Sequence, residues 1–347
     1  MATRVGIVGA SGFTGAELLR LLAGHPDLEV VLATGDSQAG TAVADLYPSL
    51  AGAYPDLAFA PYVDGLADEQ GLDLVFCGLP HGTSQEIVPG LLDGTRIVVD
   101  LGADFRLKDA SLYPTWYGVE HTVPELLPES VYGLPELFRD ELRSAKLIAT
   151  PGCYVTTATL ALAPLLQAGL VERTGIVVDA ASGVSGAGRA PKPTNAFNTV
   201  DENFVAYGML THRHTPEIEQ NLTHVAGDDV QVLFTPHLAP MNRGILATCY
   251  ARPTRAVTTE SLRQVLHAAY DDEPFVVVRH DPPSTKATLG SQTVHVTAYA
   301  DERTGWVIAM ASLDNLTKGA SGGALQSANL ALGLPEATGL PTAGLYP

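Results

Sequence analysis

The chain has 347 residues, 46% of them apolar and 17% charged, with a net charge of −18. That length suits about two domains, and the apolar content excludes disorder as the general state. Thirty-four Gly and 24 Pro without a period exclude collagen, and the acidic balance argues against nonspecific nucleic-acid binding, which needs a basic face.

The chain opens as strand, turn and helix. Val5–Val8 reads as a short buried strand, Gly9-Ala10-Ser11-Gly12-Phe13-Thr14-Gly15 as a turn, and Ala16–Ala23 as a helix stopped by Gly24 and Pro26. The strand starts at once, so no signal peptide is expected. Glycines at 9, 12 and 15 let the backbone approach a pyrophosphate, and the helix start offers free N–H groups with a positive dipole end. A bare structural turn is the competing reading. The whole turn, from Gly9 to Gly15, is therefore a candidate cofactor-binding segment. A second strand, Leu28–Ala33, ends at Thr34, where NAD sites usually carry an acidic residue. Thr34 and Ser37 thus point to a 2′-phosphate and NADP, although Asp36 is close and no Arg lies in 35–40.

Apolar runs at 72–77 and 96–101 predict further strands of a parallel sheet. Arg106 follows the second run, where α/β sheets bind ligands, and is a candidate for an anionic substrate group; a surface salt bridge is its plainer role. The longest uncharged stretch, Leu147–Val171, is broken by Pro151, Gly152 and Pro164 and reads as a buried loop and helix rather than a membrane span.

Within it, Thr150-Pro151-Gly152-Cys153-Tyr154 delivers Cys153 to a helix start, which favours thiolate and nucleophilic acyl chemistry. Cys77 and Cys249 lie in apolar strands and read as inert. Three cysteines in this length are no disulfide framework and fit a reducing, cytoplasmic setting.

Past Ala149 the composition shifts. Strands are expected at 176–180, 230–235, 244–252, 275–279, 293–300 and 306–312, and helices at 153–168, 216–224, 259–269 and 319–332. Ser182 to Arg189 is a Gly/Ser loop ending in Arg, suited to a phosphate or carboxylate; a disordered loop is the alternative. His212-Arg213-His214-Thr215-Pro216-Glu217 sets two histidines before a helix capped by Thr215. One could be the acid/base partner of Cys153; His212 is preferred, with His214 next, although spacing does not separate them. Too few Cys and His cluster for zinc, so no metal is expected.

These segments together, with Gly78-Leu79-Pro80-His81-Gly82, Asp100 to Arg106 and Asp314 to Gly322, resemble the N-acetyl-γ-glutamyl-phosphate reductases, relatives of aspartate-semialdehyde dehydrogenase. The resemblance spans nearly the whole chain. The cysteine and His-Arg-His-x-Pro-Glu segments are its specific part. It implies an α/β fold: an N-terminal Rossmann nucleotide-binding domain over 1–150, completed by a C-terminal segment, 318–347, and an α+β catalytic and dimerisation domain over 151–317. It implies NADPH-dependent reduction of an acyl phosphate through a Cys153 thioester, in arginine biosynthesis. Pro80, Gly186 and Asn315 would add to cofactor binding. Arg106, Ser182, Arg189 and Lys192 would hold the substrate. The assembly would be a homodimer or homotetramer, with neither nucleic acid nor membrane as partner. One departure is Thr157, where the family usually has Gly or Ala; it concerns helix packing. The alternatives are a reductase of carrier-bound aminoadipyl phosphate in lysine biosynthesis, for which no basic docking run is seen, and a noncatalytic NADP sensor.

Overall fold

The computed structural model describes residues 2–346, in two compact units. In chain order the main elements are β1 (Thr3–Val8), α1 (Phe13–Leu22), β2 (Leu28–Ala33), β3 (Leu74–Cys77), α2 (Ser84–Leu91), β4 (Ile97–Asp100), β5 (Val131–Tyr132), α3 (Pro135–Leu142) and β6 (Leu147–Ala149). They continue with α4 (Cys153–Gln167), β7 (Ile176–Gly183), β8 (Val205–Ala206), α5 (Thr215–Ala226), β9 (Val232–Ala239), β10 (Ile245–Ala251), α6 (Thr259–Tyr270), β11 (Val276–Val278), β12 (Val294–Asp301), β13 (Trp306–Leu313) and α7 (Gly322–Ala331).

The first unit takes the chain up to Pro151 and regains it at Ala320–Leu340. Its sheet is parallel throughout, in the order β2-β1-β3-β4-β6-β5. β3 and β4 are buried along their whole length, as central strands covered on both faces must be, which explains why they are apolar up to Asp100, the last residue of β4. The returning helix α7 packs on α1, α3 and β4. Gly, Ala and Ser dominate it, and every residue from Gly322 to Leu330 is buried. His25 and Asn329 tie the two ends of this unit together, Nε2 to Oδ1 at 3.2 Å.

The second unit holds a mixed sheet, β11-β12-β13-β10-β7-β9-β8. Along β7 and β10 burial alternates residue by residue, so one face is sealed and the other half-covered. The sealed face packs on α4, which is buried from Tyr154 to Leu166. Residues 341–346 also belong to this unit, not to the first as the expected 318–347 segment had it. The reason is local: the Leu345 N–H donates to the Leu289 carbonyl at 2.7 Å, and the Gln292 N–H donates to the Pro341 carbonyl. The uncharged stretch 147–171 resolves into β6, a Pro-Gly turn and α4, and among the described residues no helix is long and apolar enough to cross a membrane.

Candidate active site

In the second unit, Cys153 is the first residue of α4, and Gly152 caps that helix without a side chain. The thiol is half-buried, whereas Cys77 and Cys249 are fully buried and burial drives both thiols upward in pKa. Cys153 instead sits at the N-terminal, positive end of the α4 dipole. Thr157 fits its place: its hydroxyl donates to the Cys153 carbonyl one turn back, at 2.8 Å, so its polar atom is satisfied inside the helix.

The histidines flank this turn unequally. α5 starts at Thr215, one residue earlier than expected, and His214 rather than Thr215 is its cap. The His214 ring lies against Gly152; a Cβ at Gly152 would come 2.3 Å from its Nε2. His212 turns into an aromatic box of Tyr154, Tyr207 and Phe234, with ring centroids 5.3–5.8 Å away. Its Nδ1 accepts from the His214 N–H at 3.1 Å. Burial, helped by the Arg213 cation, pushes its pKa down to about 4. His212 is therefore neutral at pH 7.

A cavity of about 460 Å³ opens beside these groups. Cys153, His212 and His214 line it together with Ser182, Gly186, Lys192, Tyr207 and Arg213. Ser182 is buried there and donates to the Gly183 carbonyl. Tyr207 donates to the Tyr154 hydroxyl at 3.2 Å, and Tyr154 donates to the His237 carbonyl at 2.8 Å, which fixes one wall. Arg189 lies on the same loop, half-buried, but is not among the lining residues. Gly186 and Asn315, expected at the cofactor, both sit in this unit. The Asn315 amide is engaged structurally: Oδ1 accepts from the Gly244 N–H at 2.7 Å and Nδ2 donates to Ser185 Oγ at 2.9 Å.

Sequence reasoning passed over three groups. Arg213 lies between the two histidines and lines the cavity. Tyr207 directly follows β8, the short strand that pairs with β9, which no local signal announces. Glu217 is fully buried, and its Oε1 accepts the Gly152 N–H at 2.8 Å.

The first unit carries the glycine turn. Gly9 has φ +81°, and a Cβ there would strike the Gly78 carbonyl oxygen at 2.5 Å; one at Gly15 would strike the Ala10 oxygen at 2.2 Å. Gly12 caps α1 with no side chain, and a Cβ on it would meet only the Gly9 oxygen, at 4.0 Å. An open face over an uncapped helix start fits a pyrophosphate. Ser11, Phe13 and Thr14 are half-buried around it, and Ala10 is buried. Thr34 is buried and its hydroxyl accepts from the Gly9 N–H at 3.1 Å, so it shapes the turn from beneath. Ser37 is exposed past the end of β2, and Pro80 is exposed in the loop after β3. Asp36, also exposed, accepts the Tyr62 N–H at 2.9 Å. Arg106 is buried, with its Nη2 donating to the Leu101 carbonyl at 3.0 Å. Close in sequence, Asp100 accepts from Ser84 Oγ and the Gly102 N–H, and burial pushes its carboxyl up to about 7. Among the described residues no cluster of His, Cys, Asp or Glu could hold a metal.

Two family models match the chain: a semialdehyde dehydrogenase NAD-binding domain over residues 4–145 and a semialdehyde dehydrogenase dimerisation domain over 153–315. The chain is 50% identical over 351 residues to an N-acetyl-gamma-glutamyl-phosphate reductase of Symbiobacterium thermophilum, with both chains fully covered. It is 47% identical to that of Magnetococcus marinus, covering 99% of each. A probable chloroplastic counterpart from Arabidopsis thaliana is also 47% identical, over 99% of this chain and 85% of that one. Aspartate semialdehyde dehydrogenase II from Vibrio cholerae shares the fold at TM-score 0.71 and 17% identity, covering 96% of this chain and 98% of that one. The Candida albicans enzyme with NADP follows at TM-score 0.66 and 16% identity, over 95% and 98%.

Proposed function

The chain belongs to the semialdehyde dehydrogenase family and, within it, to the N-acetyl-gamma-glutamyl-phosphate reductases, and from that premise we propose how it works: it reduces N-acetyl-γ-glutamyl phosphate to N-acetyl-glutamate 5-semialdehyde with NADPH, by way of a Cys153 thioester, in arginine biosynthesis. The observation that carries the reading is the reactive turn: Cys153 at a helix start, His214 against Gly152, and a cavity with Lys192 and Arg213 on its wall.

His214 takes the thiol proton and the Cys153 thiolate attacks the acyl carbon. The carbon–sulfur bond forms and the carbon–oxygen bond to phosphate breaks. Lys192 and Arg213 neutralise the departing phosphate and the substrate carboxylate, with Ser182 as a hydroxyl partner. NADPH, held by the glycine turn from Gly9 to Gly15, would supply the hydride needed to bring the acyl carbon to the aldehyde level. Cys153 leaves as the carbonyl re-forms and recovers its proton from His214. Backbone N–H groups at the start of α4 face the developing oxyanion. His212, held neutral, orients His214 through the His214 N–H and walls the cavity. This assignment reverses the order preferred from sequence.

The glycine turn from Gly9 to Gly15 and the start of α1 would hold the cofactor. The NADP preference rests on Thr34, which offers no carboxylate to a ribose, and Ser37. The dimerisation-domain match, with Leu246, Tyr250 and Trp306 only half-covered on the open sheet face, supports a homodimer or homotetramer. Three free cysteines suit the cytoplasm.

The test is the reverse reaction. Protein, N-acetyl-glutamate 5-semialdehyde, phosphate and NADP should give phosphate-dependent NADPH absorbance that Cys153→Ser abolishes. A cofactor-binding protein silent with both NADP and NAD would refute the substrate.

A further inference from the structure

We propose that Glu217 is a positioning residue for the reacting thiol, its carboxylate holding the Gly152–Cys153 turn in register with His214. The proposal rests on the reading of Cys153 as nucleophile. Glu217 is fully buried, and a buried carboxylate is costly unless its hydrogen bonds are specific. Its Oε1 accepts the Gly152 N–H at 2.8 Å, a charge-assisted bond across 65 residues of sequence.

The same helix end supplies the second restraint. His214 caps α5 and Glu217 lies three residues on, in its first turn. His214 packs on the face of Gly152 where a Cβ would stand, while Glu217 takes its N–H. Gly152 is thus held from two sides by one rigid element, and the next residue is Cys153. A carboxylate in a first helical turn also suits the helix dipole, which is a purely structural role. Only the positioning role predicts an effect on the thiol itself.

The test uses the full-length protein and three variants, Glu217→Ala, Glu217→Gln and Glu217→Asp. Turnover, KM for NADPH, and the pH profile of iodoacetamide alkylation are read at matched folded fraction. Cys153→Ser marks the alkylation that belongs to Cys153. In E217A kcat should fall about 100-fold, the scale of an ångström-sized misplacement. KM for NADPH should stay within twofold. Cys153 alkylation at pH 7 should slow at least tenfold, with its midpoint moving toward that of a free thiol. E217Q keeps an acceptor oxygen at the same reach and should recover most of the loss. Should E217A fail to fold, E217D, whose acceptor is drawn back by one methylene, is read by the same criteria. Alkylation at the wild-type rate and pH profile in the folded variant overturns the proposal, whatever happens to stability. Wild-type enzyme that still turns over after Cys153 is alkylated would instead refute the nucleophile reading.

Discussion

The imidazole of His214 occupies the space that a side chain at Gly152 would need, with Nε2 2.3 Å from the position of the absent Cβ. The glycine before the reactive cysteine is therefore required by its neighbour as well as by the turn. Gly152→Ala must push the ring away or shift the start of α4. Turnover should fall by at least about 100-fold, since acid/base catalysis and thiol placement suffer together. Stopped-flow turnover and the iodoacetamide rate of Cys153 check this; a wild-type rate of both would sever His214 from the chemistry.

The other side of the thiol is equally crowded. A Cβ at Gly319 would lie 2.9 Å from the Cys153 Cβ and 3.2 Å from a Leu313 methyl. Gly319→Ala should cost roughly 1–3 kcal/mol of stability by overpacking. It should also lower kcat more than tenfold. Thermal melting and steady-state kinetics separate the two effects.

The two histidines should separate on substitution. His212 titrates at about 4 when folded, against 6.5 when exposed. Between those values the unfolded chain binds more protons, so stability rises with pH there and the His212 contribution is constant above about 6.5. The native state should therefore lose of order 2 kcal/mol through this group as pH falls from 6.5 to 4. His212→Asn, which offers an acceptor to the His214 N–H, should flatten that part of the melting-temperature profile and keep substantial turnover. His214→Asn should reduce kcat 100-fold or more. Equal losses in both variants would contradict the assignment.

The sequence carried the α/β order and the chemical types well, because both are local. The apolar runs of β3 and β4, the glycine turn and the Pro-Gly-Cys helix start all depend on neighbours a few residues apart. The pairing of roles did not. A His-x-His spacing says nothing of which ring the fold turns into the Tyr154–Tyr207–Phe234 box, and that is decided by β8 meeting β9. The three-residue β6 was invisible inside an uncharged stretch, since a fully buried strand and a buried helix look alike in composition. Nothing local singles out Glu217 within its segment; only its bond to a glycine 65 residues away gives it meaning.

Cations in the cavity should act on substrate rather than cofactor. Lys192 and Arg213 line the pocket that holds Cys153 and have no part in the glycine turn. Lys192→Ala or Arg213→Ala should each raise KM for the acyl phosphate about tenfold, the loss of one charge-assisted hydrogen bond at ~1.5 kcal/mol. KM for NADPH should hardly move. Arg213→Lys should recover only part of the effect, because an ammonium lacks the bidentate fork.

The glycine turn offers the complementary test. Gly12 is open: the nearest atom to a Cβ there is the Gly9 oxygen at 4.0 Å, so a side chain fits without strain. It would nevertheless stand over the uncapped start of α1, in the space a pyrophosphate needs. Gly12→Glu places an anion there, and should raise the Kd for NADPH by more than 100-fold while leaving the melting temperature of the free protein within about 2 °C. The acceptable stability follows from the same geometry that forbids the cofactor, for a carboxylate near a helix N-terminus is itself stabilising. Gly9→Ala must behave differently. At φ +81°, with a carbonyl oxygen 2.5 Å from the new methyl, it should lower the melting temperature and weaken the cofactor together. Calorimetric titration with NADPH and thermal melting of the two variants distinguish a ligand-facing glycine from a backbone-facing one. If Gly12→Glu bound NADPH normally, the pyrophosphate would have to lie elsewhere.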